Sequence, residues 1–529
     1  MDLHGKSLIA GQLGEAGNAT FRARNPATGA QLEPAFYEAH ETEAARAIDK
    51  AAEAFLEYRR LPPEARARFL DAIATEIEAL GDALIERTTL ETGLPAARIV
   101  GERGRTCAQL RLFAATVREG SWVDARIDTA MPERTPAPRP DIRRMLKPIG
   151  PVVVFGASNF PLAFSTAGGD TASAFAAGCA VVVKAHPAHP GTGELVAGAI
   201  TRAAAGCGLP PGVFSFVHGG PEIGAALVRH PRTAAVGFTG SHAAGRALFD
   251  VASSRPDPIP VFAEMSSVNP VLVLPGALKE RGASIAQGLF GSFTLGVGQF
   301  CTKPGLVFVV RGEDADAFVE ELARIVRDAG GGTMLTAGIL DAFERAREQV
   351  TGIEGVNVIA AAKAPGEGVS AAPSIAWTDA ATFLARPSLA DEVFGPFALV
   401  VGCDDTDEML RCLSSLGGQL TATLHATDAD LATSGELIDA AERRAGRVII
   451  NGFPTGVEVC PAMHHGGPYP ATTDVRFTSV GTAAILRFAR PVCYQGFPDE
   501  LLPPELKDAN PYGILRTVNG ELTRAAVTR

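Results

Sequence analysis

From residue 149 onward, short apolar runs rich in β-branched residues alternate with helical patterns, and nothing else in the sequence limits the fold as tightly. "GPVVVFG" (150–156) is followed by a helical pattern over 161–178, then "CAVVVKA" (179–185) and a helix over 191–205. "GVFSFVHG" (212–219), a helix at 221–229, "TAAVGFTG" (233–240) and a helix from 242 continue the series. Uninterrupted apolar strands separated by helices predict a parallel sheet covered on both faces. The fold class is therefore α/β, with a doubly wound domain whose ligands bind beyond the carboxyl ends of its strands. A second α/β series is expected from about 260: "IPVFAE", "PVLVL", a helix over 281–295, "GLVFVV" and a helix from 314. It continues through "FALVVG" (397–402), "LTATLHA" (420–426), a helix over 429–443 and "GRVIING" (446–452).

The first third reads as helical. Ala44, Ile48, Ala51, Ala52 and Phe55 form one stripe of a helix over 41–60, and 62–80 and 96–118 carry the same periodicity. "MPERTPAPRPD" (131–141) is Pro-rich and charged, so a loop or hairpin tip is expected there. The strand-like end, "VGTAAILRFARPVCYQGF" (480–497), is expected to return and pair with a hairpin near 121–145.

The 529 residues leave room for two or more cores, and 46% apolar with 20% charged residues is an ordinary globular balance. A net charge of -11 argues against a nucleic-acid partner. The eight cysteines show no C-x-x-C spacing, the first residues do not resemble a signal peptide, and no apolar run reaches membrane-spanning length. The expectation is a cytoplasmic protein without a membrane partner, in which a cysteine serves packing, metal binding or catalysis.

Several residues carry chemistry. "GVGQFC" (296–301) approaches a G-x-G-x-x-G loop but ends on Cys301, so another segment must hold a pyrophosphate. "GFTGSHAAGR" (237–246) places Gly240, Ser241 and Gly245 between a strand end and a helix start, where backbone donors attract anions; an ordinary strand-to-helix turn would read the same way. In "FGASNFP" (155–161) Asn159 carries an amide able to donate to an oxyanion, or to close a turn. Glu264 in "VFAEMSS" ends an apolar strand, where a carboxylate is either solvated or held in a cleft as a base. Glu392 in "DEVFGP" precedes a Gly-Pro turn.

Taken in order, "FGASNFP", "VVVKAHP" with Lys184, "GFTGS", "AEMSS", "GQFC" and "EVFGP" resemble the aldehyde dehydrogenase superfamily over nearly the whole chain. The resemblance implies a Rossmann-like cofactor domain (1–120, 146–259 and 454–481), a catalytic domain (260–453) and a small β oligomerisation element (121–145 and 482–500) building a homodimer or homotetramer. It implies that the Cys301 thiolate attacks an aldehyde while the Asn159 amide and the Cys301 N–H hold the oxyanion. Hydride loss to a nicotinamide then leaves a thioester, and Glu264 activates the water that releases the acid. The thiol pKa must fall from about 8.5, and local backbone dipoles with the nicotinamide charge are the expected cause. Lys184, His186, Pro187, Gly240, Ser241, Gly245, Glu392 and Phe394 are the implied cofactor contacts.

NAD-preferring members of the superfamily commonly carry a glutamate three residues after the strand-end lysine. Here Lys184-Ala185-His186-Pro187 lacks it, so NADP is expected to be preferred, with NAD the alternative; His186 and His218 are candidate extra contacts. Ser266-Ser267 replaces the usual Gly-Gly, so the packing near Glu264 is expected to differ. "KAHPAHPGT", "HGGPYPATT" and "RPVCYQGFP" are similar to a subgroup described as 2-oxoglutarate semialdehyde (2,5-dioxovalerate) dehydrogenases, with NADP-dependent fatty-aldehyde enzymes as relatives.

A dioxovalerate needs a cationic or N–H-rich anchor, and "LAFSTAGGD" (162–170) offers no cation. Arg105 and Arg111 are the candidates, beside an apolar wall of Phe160, Leu162, Phe164 and Phe453 that would suit a long-chain aldehyde equally. "CPAMHHGG" (460–467) invites a metal reading on Cys460, His464 and His465, but a fourth ligand is missing, so no metal is expected and packing or a loop role is preferred. A cysteine hydrolase would need a histidine beside Cys301, and no motif supplies one. A binding protein with a lost active site is disfavoured by Asn159, Glu264 and Cys301 occurring together.

Overall fold

The fold, seen in a computed structural model, is described for residues 3–17, 19–363 and 368–528. Its first sheet has the order Val261–Glu264, Ala235–Thr239, Val152–Phe155, Val181–Lys184, Phe214–Val217, with Leu8–Ile9 and Gln12–Leu13 closing the edge. The five inner strands run parallel and the two short ones antiparallel. Val152 to Val154 and Val181 to Val183 are buried because helices cover both faces, which is why these strands are continuously apolar. The chain winds outward from Val152–Phe155 to Phe214–Val217 and then crosses back to Ala235–Thr239 on the other side. The strand order therefore reverses between Val152–Phe155 and Ala235–Thr239, and the crevice past their carboxyl ends is where such a sheet takes a ligand. Residues 157–160 and 239–241 line that crevice.

The second sheet has the order Asn357–Ala361, Ser374–Asp379, Phe397–Cys403, Leu306–Val310, Val271–Val273, Gln419–His425, Ala445–Ile450, parallel except at its first strand. A third sheet joins Ala489–Gln495, Ile142–Pro148, Arg126–Asp128, Arg516–Val518 and Glu521–Thr523. The return of 489–495 onto 142–148 follows the expected pairing, and Met131 bridges Arg139 at the hairpin tip. Strands 516–518 and 521–523 extend that sheet beyond the expected limit of 500.

Other differences have local causes. Val261–Glu264 hydrogen-bonds to Ala235–Thr239, so it closes the first sheet rather than opening the second. The N-terminal segment is not helical: Thr20–Arg24 and Gln31–Tyr37 form a hairpin before the helix Glu41–Tyr58 begins. The pattern over 161–178 yields a helix only from Gly169 to Ala177, because the Glu102 carboxylate takes the N–H groups of Leu162 and Ala163 and holds that stretch as turns. The helix expected over 281–295 spans Pro275–Thr294 and breaks at Arg281, whose φ is -138°. The pattern over 429–443 splits into Asp428–Thr433 and Gly435–Arg444 around Ser434. Among the described residues no helix is long and apolar enough to cross a membrane.

Candidate active site

Cys301 lies just before the strand Leu306–Val310, at the end of a tight left-handed turn. Gly296, Val297 and Gly298 have φ of +57°, +58° and +67°. The turn brings Gly298 so close to the Gly395-Pro396 backbone that a Cβ there would sit 2.3 Å from the Gly395 carbonyl, so glycine is required. The same contact seats the Glu392–Pro396 segment beside the cysteine. Asn269, buried with φ +48°, fixes the far side by donating from Nδ2 to the Cys301 and Lys303 carbonyls at 2.8 and 3.0 Å. Gln419 Oε1 in turn accepts from the N–H groups of Val268 and Asn269.

Glu264, 3% exposed, is the last residue of its strand. His465 Nε2 lies 2.9 Å from its Oε1, and Ser479 Oγ donates to Oε2. Cys301 Sγ is 3.5 Å from the same His465 nitrogen, and all three ligating atoms lie within 4.8 Å of one another. Burial alone would raise the Glu264 carboxyl, but His465, Ser479 and the Cys301 thiol together hold it below its ordinary value. The thiol moves the other way: burial, then the negative charge of Glu264, push it well above its ordinary value. In the resting site the proton stays on sulfur and a base stands beside it.

Asn159 projects from the loop after Val152–Phe155, its Nδ2 donating to the Gln299 carbonyl at 2.9 Å. Three residues one turn apart on the helix Ala96–Glu119 carry this loop. Arg98 Nη2 donates to the Asn159 carbonyl at 2.9 Å, its guanidinium lying 4.8 Å from both the Phe160 and Phe300 ring centres. Glu102 caps Leu162 and Ala163 from below, with Arg98 3.7 Å away. Arg105 lies 5.8 and 5.2 Å from the Phe160 and Phe164 ring centres, and its buried Nε and Nη2 have no hydrogen-bond partner among the described residues.

A cleft of about 280 Å³ connects Cys301, Glu264 and Asn159 with Gly240, Ser241, Glu392 and Phe394; Phe160 and Phe164 form its inner wall. Ser241 caps the helix His242–Ser253 by accepting from the Ala244 N–H. Gly245 packs under it against Met265, where a Cβ would come within 2.7 Å of sulfur. Ser266 Oγ accepts from the His242 N–H at 3.2 Å, and Ser266 and the Ser267 backbone both favour the ionised form of Glu392, so the serine pair lies between the helix start and that carboxylate. Burial raises Glu392, and the nearby Lys303 cation opposes the shift. Lys184, at a neighbouring strand end, is lowered to about 8 by burial, with Glu38 acting against it. A helix start and a carboxylate along the cleft, with a strand-end amine on the neighbouring strand outside its lining, fit a dinucleotide's phosphates and ribose hydroxyls.

Some expected residues lie elsewhere. Arg111 pairs with Glu78 at 2.6 Å on an exposed face, away from the cleft. Phe453 packs on His425, ring centres 4.8 Å apart, and Leu162 belongs to the core; neither lines the cleft. His186 stacks on His189, whose Nε2 contacts the Ala157 carbonyl, so the pair braces the Asn159 loop, while Pro187 is exposed. His218 is fully buried among Phe21, Phe36 and Phe216. His465, buried in an irregular segment as a packing or loop residue would be, also stands beside Cys301 and Glu264, where no motif placed a histidine. Arg98 and Glu102 were likewise not anticipated.

A half-buried thiol between a carboxylate–histidine pair and an amide donor, opening on the switch point of a doubly wound sheet, defines a cysteine-dependent, nucleotide-linked oxidoreductase. The chain belongs to the aldehyde dehydrogenase family, whose pattern matches residues 14–469, and oxidises aldehydes with NAD or NADP. It is 53% identical over 523 residues to alpha-ketoglutaric semialdehyde dehydrogenase 2 of Azospirillum brasilense, covering 98% of this chain and 100% of the relative. It is 49% identical over 522 residues to alpha-ketoglutaric semialdehyde dehydrogenase of Acinetobacter baylyi, covering 98% and 99%. Betaine aldehyde dehydrogenase of Staphylococcus aureus shares the fold, with a TM-score of 0.80 and 20% identity over 94% of this chain and 96% of that one.

Proposed function

We propose that this enzyme oxidises 2-oxoglutarate semialdehyde (2,5-dioxopentanoate) to 2-oxoglutarate, with NADP as the preferred cofactor. The similarity at 53% identity, end to end, to a dehydrogenase named for that substrate carries the assignment. Arg105 supports it. Its buried, unpartnered Nε and Nη2 lie beside the Phe160 and Phe164 rings that wall the cleft, on the side toward which a substrate entering aldehyde-first would bring its carboxylate.

In this reading the Cys301 thiol gives its proton to the adjacent Glu264–His465 pair as sulfur bonds to the aldehyde carbon. The Asn159 amide, with the Cys301 N–H, holds the oxyanion, and Arg98 keeps the Asn159 loop in place. A bound nicotinamide supplies the hydride acceptor. The thiol proton passes on to solvent, and Glu264, again ionised as its neighbours favour, takes a proton from the water that opens the Cys301 thioester. Lys184 would pair with a 2′-phosphate and Glu392 with ribose hydroxyls. No described residue of the 184–187 segment repels that phosphate.

The free edge of Ala489–Gln495 supports self-association into a dimer or tetramer, and eight free cysteines suit the cytoplasm. Initial rates of NADPH and NADH formation on 2,5-dioxopentanoate, succinic semialdehyde and a long-chain aldehyde test the proposal. A higher kcat/KM on the long-chain compound overturns the substrate, and a higher one with NAD overturns the cofactor.

A further inference from the structure

The catalytic trio has the composition and spacing of a metal site. Cys301 Sγ and His465 Nε2 are 3.5 Å apart, and His465 Nε2 and Glu264 Oε1 are 2.9 Å apart. Around tetrahedral zinc, with bonds of about 2.3 Å to sulfur and about 2.0–2.1 Å to nitrogen and oxygen, the same pairs would stand roughly 3.6 and 3.3 Å apart. The first spacing already matches, the second needs only a few tenths of an ångström, and the sulfur–carboxylate pair, within 4.8 Å, would close to roughly 3.6 Å. Ser479 keeps its hydrogen bond to the other carboxylate oxygen, so Glu264 stays oriented. Cys301 and Glu264 both face the cleft, which leaves a route in and an open fourth position for water.

We propose that Cys301, His465 and Glu264 form a capture site for one zinc ion, or a similar borderline divalent cation, whose binding reversibly silences the enzyme. On coordination the thiol proton passes to solvent and the imidazole proton moves to Nδ1, so sulfur and Nε2 each present a lone pair to the metal; no electron is transferred. The cation neutralises a thiolate and a carboxylate that share one buried space. His465 Nδ1 is buried with no hydrogen-bond partner among the described residues, unlike the second nitrogen of most zinc-binding histidines. The site is therefore weaker than a structural zinc site, and a chelator reverses the block. This proposal does not depend on which aldehyde is the substrate.

Full-length, chelator-treated protein, without aldehyde or nucleotide, is titrated with cobalt(II). The expected result is a near-ultraviolet thiolate-to-cobalt band and an intense visible spectrum typical of four-coordination. Both saturate at one equivalent and are displaced by zinc. Zinc also protects Cys301 from iodoacetamide, read by peptide mapping. Cys301→Ser removes the near-ultraviolet band, and His465→Gln and Glu264→Gln weaken binding at least tenfold while unfolding at temperatures close to the parent's. A band that persists in Cys301→Ser, a weak six-coordinate spectrum, or alkylation unaffected by zinc would overturn the proposal.

Discussion

Replacing Arg105 with Met tests the substrate assignment at its most specific point. Met keeps an unbranched apolar stem on Phe160 and Phe164 and removes the guanidinium whose Nε and Nη2 are buried and unpartnered. A hydrogen bond to a charged group contributes about 1.5–3 kcal/mol net. A bidentate carboxylate contact made by donors already stripped of water falls at the upper end of that range. We expect a loss of about 2–3 kcal/mol in transition-state binding, roughly 30- to 150-fold in kcat/KM, on 2,5-dioxopentanoate. The Arg105 charge also acts on the Cys301 sulfur, an effect common to every aldehyde. The measured quantity is therefore the ratio of kcat/KM for 2,5-dioxopentanoate to that for pentanal, a five-carbon aldehyde without a carboxylate. Equal losses on both aldehydes, with the ratio unchanged, would refute Arg105 as the anchor and leave it a packing or electrostatic role.

Cys301→Ala should reduce NAD(P)H formation to background while leaving nucleotide binding by fluorescence titration intact. Arg98→Met removes the hydrogen bond to the Asn159 carbonyl and should lower kcat about 5- to 30-fold for charged and uncharged aldehydes alike, from about 1–2 kcal/mol of lost positioning, with KM nearly constant. Lys184 sets a pH dependence. A 2′-phosphate binds its protonated form, so NADP affinity should be full below about 8 and fall up to tenfold per pH unit above it; NAD affinity should stay flat, and Lys184→Met should abolish the difference. Asn269→Ala leaves the Cys301 and Lys303 carbonyls without a donor they now share and should lower both kcat and the unfolding temperature, read by initial rates and a thermal melt.

The sequence reveals Asn159, Glu264 and Cys301 because each sits at a strand end or tight turn that its own neighbours encode. His465 has no such local sign. It lies 164 residues from Cys301 in a segment with neither helix nor strand. Its position follows from the two glycines after it, Gly466 and Gly467, pressed against the Phe477 and Gln419 carbonyls, which is a tertiary fact. Val261–Glu264 is apolar in either sheet, and only its ladder to Ala235–Thr239 decides which. The burial and the two carboxylates that push the thiol up reach Cys301 from distant parts of the chain, so they too leave no local sign. Arg105 and Arg111 show how fine the distinction is. Six residues apart on one helix, they differ by about 240° around its axis. That rotation carries Arg105 over the phenylalanines of the cleft and Arg111 out to Glu78, though the two look interchangeable in a helical pattern read without its neighbours.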